Sequence, residues 1–100
     1  MPPPGVSVVI VNWNTRDMVL RLLGELSAPA EECGHELELI VVDNDSSDDS
    51  VEAIRREYPD VTLVAQGENL GFAGGVNPGV EVATQPFVLL LNTDAHTSRE

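Results

Sequence analysis

At 100 residues the chain has room for one domain and not two, and its acidic residues outnumber its basic ones 17 to 5, a formal charge of −12. That balance excludes a nucleic-acid partner, which needs a basic stripe, and docking on anionic lipid. No apolar run nears the ~20 residues that span a bilayer, Met1 to Gly5 looks like no signal peptide, and the single Cys33 rules out an internal disulfide or cysteine-based zinc site, so a cytoplasmic setting is expected.

Val6-Ser7-Val8-Val9-Ile10-Val11 is a β-branched run and reads as a strand buried on both faces. Val19, Leu22, Leu23 and Leu26 then recur at helical spacing, with Asn14 or Thr15 as the cap and an end near Ala28-Pro29. Glu31 to Glu36 reads as a polar connection. Leu37 to Val42 is a second strand, followed by a turn rich in Asp, Asn and Ser from Asp43 to Ser50. Val51, Ile54 and Tyr58 mark a second helix, with Asp48 and Asp49 at its positive end and Pro59 closing it. Val61 to Ala65 is a third strand, shorter and suited to a sheet edge. A glycine-rich loop from Gly67 to Gly75 comes next. A short helix follows it, with Asn77 as cap, Pro78 at its first position and Val80 and Ala83 facing inward. Phe87 to Leu91 reads as a fourth buried strand, after which the chain runs Asn92-Thr93-Asp94-Ala95-His96.

Strands alternating with helices predict an α/β fold, a Rossmann-like three-layer parallel sheet of order 3-2-1-4. Ligands of such sheets bind beyond the carboxyl ends of the strands, where the order reverses. The expected organisation is a disordered segment over 1–5, one domain over 6–94 and a tail over 95–100.

Three strand ends carry the polar residues of interest: Asn12-Trp13-Asn14, Asp43-Asn44-Asp45 and Asn92-Thr93-Asp94. Each alone could be a turn or a cap; their convergence on one rim points to a site. Asp94 follows a buried strand directly and suits a hard cation such as Mg²⁺ or Mn²⁺, which wants one or two carboxylates plus phosphate oxygens. A capping Asp would look the same. Trp13 has a face for stacking on a base, or serves as a core tryptophan. Asp43 could accept the imide N–H of a uracil or thymine, or simply stabilise the next helix. The loop from Asn69 to Gly79 allows close backbone approach to a ligand, but it is neither a Walker loop nor G-x-G-x-x-G. His96 reads as solvated.

These residues resemble a family 2 glycosyltransferase, in its rhamnosyltransferase-like branch. The resemblance rests on Val-Ile-Val-Asn-Trp-Asn at 9–14, Val-Asp-Asn-Asp-Ser-Ser-Asp at 42–48, Asn-Leu-Gly-Phe-Ala-Gly-Gly at 69–75 and Leu-Leu-Asn-Thr-Asp at 90–94. It implies the nucleotide-sugar-binding half of a GT-A fold with a UDP- or dTDP-sugar donor. Asn12, Trp13, Asn14, Asp43, Gly71, Asn77 and Asn92 would serve the donor, with Asp94 as ligand of Mn²⁺ or Mg²⁺ and Asp48 in a structural role. The family inverts, with a later carboxylate as base. No residue matches that base and the acceptor half is missing, so the chain alone is expected to bind and not to turn over. Val76 and Pro78 depart from the family pattern, in which polar or basic residues flank Asn77.

A non-enzymatic α/β regulatory or interaction domain is the alternative. A receiver-like version would need a lysine, and this chain has none. A sugar nucleotidyltransferase would need a glycine- and arginine-rich loop where Asn12-Trp13-Asn14 stands. The apolar fourth strand, with no lysine or proline after Phe87 to guard an edge, is expected to pair with a second copy in a homodimer.

Overall fold

The β-branched runs form the strands and the helical repeats lie across them. A computed structural model describes residues 5–33 and 37–93. Along the chain come β1 (Val6–Asn12), α1 (Arg16–Cys33), β2 (Leu37–Asp43), α2 (Ser50–Glu57), β3 (Thr62–Ala65), α3 (Gly71–Val82) and β4 (Phe87–Asn92). The four strands make one parallel sheet in the expected order, β3-β2-β1-β4. β3, only four residues long, lies at one edge.

β1 is the centre. Its alternate residues feed two cores, because successive side chains point to opposite faces. Val8 and Ile10 join Val41, Val19, Leu22, Leu23 and Ile54 on the face covered by α1 and α2. Val9 joins Ile40 and Val42 on the other face, which α3 covers.

Three expectations about elements need correction. α1 continues past Pro29 to Cys33, so 31–33 is helix and not connection. A proline forfeits its own backbone hydrogen bond, a local cost; the helix by then has three turns anchored by Val19, Leu22 and Leu23. α3 begins at Gly71, inside the stretch expected as loop, and Leu70, not Asn77, holds its N-cap position. Pro78 is inside that helix and Asn77 is exposed on it. The reason is close packing. A Cβ on Gly79 would sit 2.4 Å from Val9 Cγ1 and 3.1 Å from Val42 Cγ2, and one on Gly75 would sit 2.8 Å from Val11 Cγ1. Gly75 and Gly79, one turn apart, lay the helix backbone directly on the sheet, and this register turns Val80 outward to 43% exposure. Finally, β4 is not buried. Phe87, Val88, Leu89 and Leu90 are 58%, 41%, 47% and 42% exposed, because among the described residues only β1 pairs with the strand and the helices lie over the sheet centre.

At the amino ends of the strands, Glu38 ties the sheet to the α3–β4 connection. Its carboxylate accepts from Ser7 Oγ at 2.6 Å, Thr84 N at 2.9 Å and Thr84 Oγ1 at 3.1 Å. The Ser7 hydroxyl, then the Thr84 backbone N–H, holds its pKa below the ordinary 4.5, against a smaller opposing effect of burial. A lowered folded-state pKa means the contribution to stability is full above the ordinary value and disappears as pH falls through the lowered one. Glu38→Gln is therefore expected to cost about 1 kcal/mol at pH 7. Thermal unfolding followed by circular dichroism should show a Tm gap of several degrees at pH 7 that narrows at a pH well below 4.5, as the carboxylate is protonated. A gap of equal size at both pH values would refute the role of the charge.

Candidate functional site

The parallel register aligns the strand ends. Asn12 stands beside Asp43, and Val11 beside Asn92, so β1, β2 and β4 finish on one rim. Thr93 is buried just past β4 and shares a 2.7 Å hydrogen bond with Thr15, at the entry of α1.

Beneath this rim lies a hydrogen-bonded lattice. Asn12 is fully buried; its Nδ2 donates to Asp43 Oδ1 at 2.7 Å and Ser46 Oγ at 3.4 Å, and its Oδ1 accepts from Thr15 Oγ1 at 2.6 Å. Asp43 is 2% exposed and also accepts from Ser46, through the backbone N–H at 2.9 Å and the hydroxyl at 2.7 Å. Among described residues one lone pair, on Oδ2, is left over.

Asn14 stitches the first turn to the β2–α2 loop. It has φ 53°, a left-handed conformation that asparagine tolerates. Its Oδ1 accepts from Ser47 N at 2.7 Å and Asp48 N at 3.3 Å, and its own N–H donates to Ser46 Oγ at 2.9 Å. Asp48 reaches the other way. It accepts from the Arg16 N–H at 3.2 Å, at the start of α1, and from Ser50 N and Oγ at 3.0 and 2.5 Å, at the start of α2. Burial pushes the Asp48 pKa up, but the bonds from Ser50 and Arg16, with the Arg16 charge, outweigh it and leave the pKa lowered. One carboxylate thus serves two helix N-termini.

A third tie was not legible from the sequence. Asn44 is 2% exposed; its Nδ2 donates to the Gly71 carbonyl at 2.9 Å and its Oδ1 accepts from Gln66 Nε2 at 2.6 Å. Gly71, at φ 76°, needs the left-handed region that glycine enters freely. Asn44 thereby fixes the start of α3 against the end of β2. Only its place between two aspartates hinted at this.

Of the expected site residues, the structure brings Asn12, Asp43, Asn14 and Gly71 to the rim as parts of this lattice. Trp13 stands above it, 50% exposed. Asn77 is not with them; it lies on the exposed side of α3, six residues or ~9 Å of helix beyond Gly71. Asn92 ends β4 beside Val11. Asp94 and His96 lie outside the described residues. Asp45 is exposed at φ 65° on the β2 end and makes no hydrogen bond among the described residues. No group of three or more His, Cys, Asp or Glu side chains able to hold a metal occurs among the described residues. An open groove of about 460 Å³ flanks the start of α1, but its cation, Arg16, is engaged by Asp17 and Asp49.

A parallel sheet of this order, with polar strand ends gathered at the switch point, defines the doubly wound class that binds ligands on that rim. The model of the family described as Glycosyl transferase family 2 matches residues 7–100, and the chain belongs to that family. It is 30% identical over 99% of its length to an undecaprenyl-phosphate 4-deoxy-4-formamido-L-arabinose transferase of Klebsiella pneumoniae, of which it covers 32%. It is 29% identical over 95% of its length to the low-salt glycan biosynthesis hexosyltransferase Agl10 of Haloferax volcanii, covering 29%. Among solved structures, the mannosyltransferase PcManGT of Pyrobaculum calidifontis, in complex with GDP-Man and Mn²⁺, matches with a TM-score of 0.77 and 28% identity, over 94% of this chain and 30% of that one. Mannosyl-3-phosphoglycerate synthase from Rubrobacter xylanophilus shares the fold at TM-score 0.82 and 21% identity, over 96% of this chain and 32% of that one. The fold is GT-A, and the chain spans about a third of the length of the relatives it matches.

Proposed function

We propose that the chain is the donor-binding part of an inverting glycosyltransferase and holds a UDP- or dTDP-sugar with a divalent cation, Mn²⁺ or Mg²⁺. The observation that carries this reading is Trp13, half-exposed over a rim where Asn12, Thr15, Asp43 and Ser46 are hydrogen-bonded to one another. A large aromatic open to solvent on a rigid base offers a base a stacking surface. Asp43 contributes the imide contact through the remaining lone pair on Oδ2, Gly71 lines the approach to the diphosphate, and Asn92 completes the donor contacts. Asn12 and Asn14 act from beneath by holding Asp43 and Ser46 in place.

The residues fit a cation held mainly by the donor. Asp94 would be its protein ligand, immediately after the Thr93 that Thr15 pins beside the end of β1. When bound, the metal neutralises charge on the diphosphate leaving group. Sugar transfer belongs to a longer enzyme that supplies an acceptor site and a base; this chain alone binds the donor without turnover. No helix among the described residues is long and apolar enough to cross a membrane, and the proposed setting is the cytoplasm.

Calorimetric titration with UDP and dTDP, with and without Mn²⁺, tests the reading. Binding should be metal-dependent, and Asp94→Asn should abolish that dependence with the circular dichroism unchanged. Equal affinity with and without Mn²⁺, or Mn²⁺ dependence surviving in Asp94→Asn, would sink the metal assignment.

A further inference from the structure

Two neighbouring side chains at the end of β2 face opposite ways. Asp43 turns toward β1 and the β2–α2 loop, where Asn12 and Ser46 hold it. Asn44 turns toward β3 and α3, since successive side chains along an extended chain alternate. A buried amide is costly unless its polar atoms are paired, and Asn44 pairs both: Oδ1 with Gln66 and Nδ2 with the Gly71 carbonyl. Gln66 is itself tied to β2, its backbone N–H donating to the Asp43 carbonyl at 2.9 Å. Gly71 is the part of α3 that packing does not hold. Further along, Gly75 and Gly79 rest on Val11 and Val9. At the exposed Gly71, a Cβ would meet nothing within 4 Å among the described residues. Two side-chain hydrogen bonds fix it instead: Asn44 on its carbonyl, and Asn69 Oδ1 accepting its N–H at 2.8 Å. Asn69 is exposed, so among the described residues the Asn44 bond is the one that ties Gly71 to the sheet.

We propose that Asn44, braced by Gln66, is a positioning residue for the donor diphosphate, acting through Gly71. The inference rests on the reading of this rim as a donor site with Gly71 beside the diphosphate. Asn44 is sealed beneath the rim and touches no ligand. Its work is on the Gly71 carbonyl. A carbonyl oxygen is an acceptor only, and it repels phosphate oxygens. By drawing that carbonyl inward onto a buried amide, Asn44 keeps the oxygen off the face a diphosphate would approach. The pairing of roles on β2 adds a second effect. Asp43 serves the base and Asn44 the diphosphate, so adjacent residues of one strand fix the spacing between the two halves of the site. A nucleotide also has a fixed spacing between base and phosphates. Setting the match before binding removes the ordering cost that a loose loop would bring.

NMR titration with uridine and with UDP, Mg²⁺ present throughout, separates the two halves of the site. Asn44→Ala should leave uridine affinity within about twofold and weaken UDP about fivefold, the contribution of one hydrogen bond. Gln66→Ala should show the same split to a smaller extent. The double variant should bind UDP no more weakly than Asn44→Ala, because Gln66 acts only through Asn44. A merely structural residue would weaken both ligands alike. If Asn44→Ala does not fold, Gln66→Ala, at a half-buried position, carries the test alone. Failure of the unaltered chain to bind either ligand would overturn the donor reading, and this inference with it. With that binding intact, equal weakening of uridine and UDP, or of neither, overturns the role of Asn44 and leaves the donor reading standing.

Discussion

Trp13→Ala should weaken UDP or dTDP binding tenfold or more while leaving the Tm within a degree or two. Stacking on an aromatic contributes roughly 1–3 kcal/mol per base. The indole is 50% exposed, so its truncation removes little buried contact. Because Trp13 is the only tryptophan, fluorescence of the unaltered chain reports the same contact directly: nucleotide should quench or shift it. Calorimetry gives the affinity of the variant, which has no tryptophan to follow. Unchanged affinity, or fluorescence indifferent to saturating nucleotide, would take the stacking role from Trp13.

The largest stability loss is expected at a glycine. Gly79→Val places a branched side chain where a Cβ alone would be 2.4 Å from Val9 Cγ1, and Val9 is fully buried in the centre of the sheet. Neither can yield without lifting α3 from β1, so the cost is that of overpacking at its upper end, about 3 kcal/mol. For a domain of this size that lowers the Tm by roughly 10 °C or more. Gly67→Ala is the control, since a Cβ there meets nothing within 4 Å. Comparable Tm values for Gly79→Val and the unaltered chain would mean that α3 does not rest on Val9.

The same glycines explain where the sequence was legible. β1, β2 and β4 announce themselves because β-branched and leucine runs of strand length are bounded by Asn and Asp, and their order follows from right-handed crossovers. α3 does not, because Gly74, Gly75, Pro78 and Gly79 are turn residues in isolation. That two of them meet Val9 and Val11 is a property of the assembled layers. Pro29 misleads in the same way at the end of α1.

Within the site, the rim residues were readable as a set, through the coincidence of polar triplets at three strand ends. Their division of labour was not. Asn12 and Trp13 are neighbours in sequence, yet one is sealed beneath the rim and the other stands open above it, since successive positions leaving a strand point opposite ways. Nothing local says that Asn44 holds Gly71, or that Asp48 serves α1 as well as α2. Those partners come from distant segments and meet only once the sheet has ordered them.

The order β3-β2-β1-β4 also sets a timetable for assembly. β1 finds β2 early, but its other edge waits for Phe87 to Asn92, at the opposite end of the sequence. Loop closure over that span is the most entropically demanding step of the fold, and parallel pairing rewards it late. During synthesis the Val6–Asn12 edge stays open while the chain behind it is still being made. For that interval a strand destined for the interior of the sheet lacks protection on one edge, and an encounter between two nascent chains there competes with the arrival of β4.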